Sequence, residues 1–299
     1  MSDNFSSYIG NTLPWSFLAL EDQSLESSRI VVLPVPYDST TSYRSGTNEG
    51  PKAIIDASRY LEDYDIELKN EPSTSGILTL PELEPNVDGP AAMIKRVKDA
   101  VKYFSSLGKI VALFGGEHCI SLGAVQAMSE TYNDLSVLYL DAHGDLREEY
   151  MGSKYSHACT ARRIFEICPV VEVGVRSISK EEMDFIDDQK TVGGINLYFY
   201  DRGESHSSWD VDEIVSKLSK NVYLSIDLDV LDPSFMAAVG TPEPGGLDWE
   251  KVIDLIRCLC ENRNLVGFDI VELSPWAGPP SCAFIASKLA YKTMGYALS

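Results

Sequence analysis

Seven short runs along the chain are almost continuously apolar, and they predict the strands of a buried sheet. They are Arg29–Pro34, Lys109–Phe114, Leu135–Leu140, Val170–Val175, Ile195–Tyr200, Val222–Ile226 and Leu265–Val271. Val, Ile, Leu, Phe and Tyr fill them without the strict alternation of a half-exposed strand, as expected of strands covered on both faces. Between them, Ala91–Leu107, Ser121–Tyr132, Lys180–Asp188, Val211–Ser219, Trp249–Glu261 and Ala283–Ala297 carry apolar residues at helical spacing. This alternation implies an α/β fold, a parallel sheet with helices on both faces. No repeat, low-complexity tract or linker divides residues 1–299, so one domain is expected. The polar, proline-bearing segment Lys69–Asp88 is expected to be a long loop.

Composition narrows the function classes. Hydrophobic residues make up 44% of the chain, enough for a sizeable core and too many for a disordered protein. No stretch approaches the ~18 apolar residues of a membrane span. The first twenty residues, MSDNFSSYIGNTLPWSFLAL, lack the basic start of a secretory signal. Against 45 acidic side chains stand 25 basic ones, a net charge of −20, which argues against binding a phosphate backbone. Six cysteines form no CxxC pair and are expected as reduced thiols in a cytoplasmic protein.

The predicted strand exits carry the chemistry, because ligands of open α/β sheets bind at the carboxyl ends of the strands. Gly115-Gly116-Glu117-His118 follows the second run and Asp141-Ala142-His143-Gly144-Asp145 the third. The sixth ends in Asp227-Leu228-Asp229, and the last exits at Glu272. Alternate side chains of an extended segment face the same way, so Asp141, His143 and Asp145 should point together, as should Asp227 and Asp229. With His118 they bring two imidazoles and four carboxylates to one pocket. A lone DxD or HxD is commonly a solvated turn; three such elements at strand exits are not. Four close carboxylates without a cation repel and take up protons. Two divalent ions would balance four aspartates, and paired metals are a common device for activating water. Ligands rich in carboxylate, poor in imidazole and free of thiolate favour Mn²⁺ over Zn²⁺.

The strings GGEHCISLG, DAHGDLREEYMGSKYSHACTARR, SIDLDVLDPSF and VGTPEPGGL, followed by FDIVELSP, resemble the ureohydrolase family of arginases and agmatinases. The resemblance implies a three-layer α/β/α arginase-like fold with a mostly parallel central sheet. It implies that His118, Asp145, Asp141 and Asp227 hold one Mn²⁺, and that His143, Asp229 and the bridging pair Asp141 and Asp227 hold the other. The implied reaction hydrolyses a guanidinium to urea and an amine, by attack of a hydroxide between the metals. His157, in SHAC, matches the family's proton-transfer position, a task suited to an imidazole. Glu272 stands where the family places its guanidinium-binding carboxylate, and a planar guanidinium would satisfy an acid leaving a buried strand. Trimers or hexamers are common in the family, so a homo-oligomer is expected.

The same resemblance bears on the substrate. Arginases usually carry Asn two residues beyond the last Asp of the metal motif, whereas this chain has Arg147. The DLREEYMGSKYSHACTARR block and TPEPGGL resemble agmatinases, which makes agmatine, a small cationic guanidine leading to putrescine, the first expectation. A rim of Glu148, Glu149 and Tyr150 would suit its distal ammonium. N1-aminopropylagmatine is a close alternative, and Arg147 keeps guanidinobutyrate open. A non-catalytic regulatory homologue would be expected to lose ligands, and a single-zinc deacetylase would not need the extra aspartates. Departures from the family pattern are Glu117 for a commoner Asp, Gly144 inside the metal motif, and Ala237-Ala238 for Pro-Gly. Glu243 is read as loop architecture, and His206 is assigned no role.

Overall fold

Burial on both faces turns the β-branched runs into a single parallel sheet. The structure, a computed structural model, describes residues 14–189, 195–200 and 209–299; His206 lies outside them. Its strands are β1 (Ile30–Val35), β2 (Ile77–Thr79), β3 (Ile110–Gly115), β4 (Leu135–Leu140), β5 (Val170–Val173), β6 (Ile195–Tyr198), β7 (Asn221–Asp227) and β8 (Asn264–Val271). They lie in the order β2-β1-β3-β8-β7-β4-β5-β6, every pair parallel. Seven are the predicted runs. The eighth, β2, lies inside Lys69–Asp88, where a loop was expected: Pro72–Ser75 forms a 3₁₀ turn that delivers Ile77 to pair with Ile30.

Among the described residues eight α-helices cover the sheet: α1 (Gly50–Ser58), α2 (Pro90–Ser106), α3 (Ser121–Thr131), α4 (Thr160–Phe165), α5 (Lys180–Gln189), α6 (Val211–Ser216), α7 (Trp249–Asn262) and α8 (Ser281–Leu298). The periodicity did not predict α1 or α4. One apolar layer joins α1, α6, α7 and α8 to one face, with Ile54, Val215, Ile256 and Leu289 fully or nearly buried. The other joins α2, α3, α4 and α5 through Val97, Val125, Ile164 and Ile186. Each such side chain contributes about 1.5–3 kcal/mol on removal from water. The result is the three-layer α/β/α arrangement. The four central strands β3, β8, β7 and β4 are the ones whose exits carry the marked residues. Neighbouring strands lie ~4.8 Å apart, so these four exits fall within about 15 Å.

At the rim of the first layer, Lys292 of α8 clamps the 60–70 segment. Its Nζ lies 2.6 Å from Glu67 and 3.2 Å from Asp65, and Tyr296 donates to Glu67 at 2.6 Å. Burial raises the Glu67 pKa, but hydrogen bonds from Lys292, Tyr296 and Arg257 outweigh it and hold the carboxyl down to about 2. A depressed folded-state pKa stabilises above the unfolded carboxylate value and ceases to do so as pH falls through the folded one. The stability gap between wild type and Glu67→Gln should therefore close between about pH 5 and pH 2 in urea titrations. A gap constant with pH would contradict this.

Candidate metal centre and substrate cleft

Asx turns, rather than extended strand, build the cluster. His143 N–H donates to Asp141 Oδ1 at 2.6 Å, and Asp229 N–H to Asp227 Oδ1 at 2.8 Å. Leu228–Val230 is a 3₁₀ turn, and Asp145 takes a left-handed φ of 48°. The convergence expected from period-two alternation is thus reached by turning the chain at each exit. Glu272, at the exit of β8, is also left-handed, with φ of 65°. Asp tolerates such an angle better than most residues, whereas for Glu272 it is a strained conformation held by its surroundings.

The structure brings all six expected ligands together. His118 Nδ1 lies 3.0 Å from Asp141 Oδ2, 3.1 Å from Asp227 Oδ2 and 3.7 Å from Asp145 Oδ2. His143 Nδ1 lies 2.9 Å from Asp229 Oδ2 and 3.5 Å from Asp141 Oδ1. Two groups able to hold an ion follow, His118–Asp141–Asp227 and Asp141–His143–Asp229, the donor atoms of each lying within 4.8 Å of one another. Asp141 belongs to both; Asp227 enters the first. Apart from half-buried His143, these residues are buried.

The neighbours of His118 fix its tautomer. Ser225 Oγ donates to Asp269 at 2.8 Å, so at 2.8 Å from His118 Nε2 it acts as acceptor. In the neutral ring Nε2 then carries the proton, and Nδ1 presents a lone pair toward the carboxylates. Tyr139 OH, 3.0 Å from Nδ1, donates to Asp145, and among the described residues none donates a hydrogen bond to Asp141 Oδ2 while the His118 ring is neutral. Lone pair facing carboxylate oxygen is repulsive, and a cation between them removes the conflict. Burial and repulsion from the neighbouring aspartates push Asp145 and Asp227 well above the ordinary carboxylate range. Burial also opposes the charged forms of His118 and His143, yet the surrounding carboxylates push both imidazoles up. Oxygen and imidazole donors without a thiolate, around a cavity of about 20 Å³, fit small divalent ions.

Beside the cluster opens a cleft of about 230 Å³, lined by His143, Asp145, Arg147, Tyr150, His157 and Glu182 among others. His157 sits edge-on to Tyr150 at 5.7 Å, and burial lowers its pKa. Glu272 lines the smaller cavity with the cluster, and its Oε1 accepts from His118 N–H at 2.7 Å. Burial and the nearby Glu117 push its carboxyl well up. Glu243 reaches within 3.8 Å of His143 Nε2, closer to the cluster than a purely architectural residue. Cys119 and Cys159 are buried free thiols whose pKa values burial raises, as expected of packing residues.

Two features differ from the sequence expectation. Glu148 is tied to Lys154 at 2.6 Å, Arg163 at 2.8 Å and Arg162 at 3.3 Å, and the first two hold its carboxyl down to about 2. Glu149 is exposed, and neither acid lines the cleft; of the expected rim only Tyr150 does. The second is Arg176, which the sequence reading passed over. Its guanidinium donates to the carbonyls of Asp229 at 2.7 Å, Glu243 at 3.0 Å and Gly174 at 3.2 Å. It thereby ties the β5 exit to the loops carrying Asp229 and Glu243. The Gly-Val-Arg string at that exit was the available signal.

The model of the arginase family matches residues 28–295. The chain belongs to the arginase family. It is 39% identical over 287 residues to the N(1)-aminopropylagmatine ureohydrolase of Synechocystis sp., covering 93% of this chain and 92% of that protein. It is 33% identical to the agmatinase of Bacillus anthracis, over 84% of this chain and 86% of that one. The crystal structure of the agmatine ureohydrolase of Thermoplasma volcanium superposes with a TM-score of 0.85 and 31% identity, covering 98% and 97% of the two chains. This arginase-family chain is therefore a ureohydrolase, a hydrolase of amidine C–N bonds.

Replacing Arg176 by Met would leave several carbonyls without their shared donor. It should destabilise the protein by about 2–4 kcal/mol in urea unfolding. A loss below about 0.5 kcal/mol, the usual range for surface substitutions, would show that the loops hold themselves.

Proposed function

We propose that the chain is a single-domain ureohydrolase that splits the guanidinium of an agmatine-type amine into urea and the free amine. The observation that carries this is the juxtaposition of two donor groups sharing Asp141 with Glu272 at one cavity and His157 beside it. His118, Asp145, Asp141 and Asp227 would hold one Mn²⁺, and His143 and Asp229, with Asp141 and Asp227, the other. Two such ions, when bound, supply the Lewis acidity that makes water a nucleophile near neutral pH. Glu272 offers its carboxylate to the planar guanidinium and sets the central carbon beside the cluster. His157 gives one proton to the nitrogen of the breaking C–N bond, which departs as the neutral amine. The proton left on the added oxygen is given up as the carbon becomes urea, and it returns to His157 or makes the amine an ammonium.

N1-aminopropylagmatine is the favoured substrate because relatives named for it reach 39% identity, against 33% for the agmatinase of Bacillus anthracis. This reverses the order expected from sequence, where agmatine came first; agmatine remains the second reading, supported by the Thermoplasma volcanium structure. Guanidinobutyrate is disfavoured, because Arg147 lies 4.0 Å from Glu182 and over the Tyr150 ring, so its charge already has partners. The proposal includes a homo-oligomer and a cytoplasmic location. Among the described residues no helix is long and apolar enough to cross a membrane, and the net charge of −20 favours cationic substrates.

Urea release by the Mn²⁺-loaded protein across aminopropylagmatine, agmatine, arginine and guanidinobutyrate tests the proposal. The highest kcat/KM is expected for aminopropylagmatine, with agmatine next and arginine lowest. Absence of urea from all four would overturn it.

A further inference from the structure

A side-chain relay behind His157 lies outside the cluster and outside the cleft lining. Thr40 Oγ1 is 3.1 Å from His157 Nδ1 and accepts the His157 main-chain N–H at 3.2 Å. The same hydroxyl donates to Glu117 Oε1 in a short hydrogen bond. Glu117 Oε2 accepts the main-chain N–H groups of Thr40 at 2.6 Å and Ser39 at 2.7 Å. Glu117 is fully buried. Its oxygens act as acceptors in all three bonds, so Thr40 gives its one proton to Glu117 and meets His157 only as an acceptor. Both His157 contacts with Oγ1 are then N–H donations, and the Nδ1 proton is fixed. That leaves Nε2 as the nitrogen that takes and releases a proton.

The backbone seats this relay. Glu117 N–H donates to Tyr37 O at 2.8 Å, and Gly116 N–H to Val35 O at 3.0 Å, stitching the exit of β3 to the segment after β1. A Cβ on Gly116 would stand 2.2 Å from Tyr37 O, so only glycine permits the approach. The segment bearing Thr40 is thereby held against Glu117 independently of the cleft.

We propose that Thr40 and Glu117 are positioning residues that lock His157 in its Nδ1–H tautomer, with Nε2 as the nitrogen that protonates the leaving amine. The inference rests on the proton-donor role proposed above for His157. An imidazole free to flip or to exchange tautomers would spend part of its time unable to deliver that proton, which lowers kcat without weakening substrate binding.

The test is steady-state kinetics of the full-length Mn²⁺-loaded protein on aminopropylagmatine and agmatine, with metal content measured on every variant. Thr40→Val keeps the shape and removes the hydroxyl. It should lower kcat roughly 10–100-fold, toward the floor set by His157→Ala, with KM within about twofold and metal content unchanged. Thr40→Ser should recover kcat to within about threefold of wild type. Glu117→Gln should lower kcat in the same direction, and it keeps the test decisive if Thr40→Val does not fold. Unchanged kcat in Thr40→Val, equal impairment in Thr40→Ser, or a loss that tracks metal content overturns the lock while the ureohydrolase reading stands. A wild type that releases no urea overturns both.

Discussion

Convergent negative charge at the carboxyl end of the sheet is the constraint to which the rest of the structure answers. Asp141, Asp145, Asp227 and Asp229 are all buried within reach of two imidazoles. Two unit charges 4 Å apart at an effective dielectric of 20 repel by about 4 kcal/mol, so four carboxylates cannot share that space bare. Protons would satisfy the cluster only by removing its charge. Two divalent ions satisfy it while keeping every oxygen as a donor. The left-handed backbones of Asp145 and Glu272, and the Asx turns that Asp141 and Asp227 readily form, aim side chains into one volume. All four stand at the exits of three adjacent central strands, β8, β7 and β4.

Around the cluster, groups that touch neither cleft nor cavity decide which atoms face inward. Strand register sets Ser225 of β7 against Asp269 of β8, and their hydrogen bond turns His118 so that its lone pair faces the aspartates. Arg176 ties main-chain carbonyls of two loops to the end of β5. Thr40 and Glu117 play the equivalent part for His157. These contacts join elements far apart in sequence and orient the groups that face the cluster. The cleft beyond is built mostly from the segments after β4 and β5, with Ser42 and Thr241 reaching it from the segments after β1 and β7.

The sheet was legible in the sequence because both faces are buried, and runs such as Leu135–Leu140 and Leu265–Val271 therefore read as continuous apolar strands. β2 was not, because Ile77–Thr79 is too short to stand out among prolines. Gly50–Ser58 escaped because it opens on Gly-Pro and spans nine residues, and Thr160–Phe165 because six residues show no period. The convergence of the six candidate residues was legible because each lies at or just beyond a strand end, although the geometry that gathers them is turn rather than strand. Glu148 was misread as rim because Arg162 and Arg163 return to it from α4, a contact no local pattern displays. Arg176 was passed over for the opposite reason. Its partners are main-chain carbonyls, which leave no trace in side-chain spacing.

The count of Mn²⁺ ions bound per chain at saturation, by elemental analysis of the intact protein and of Asp141→Asn, tests the balance of charge most directly. Asp141 is shared by both donor groups, so the account predicts two ions in the wild type and loss of affinity at both positions in the variant. One ion or none in the wild type, or a variant that still holds two with unchanged affinity, would contradict it.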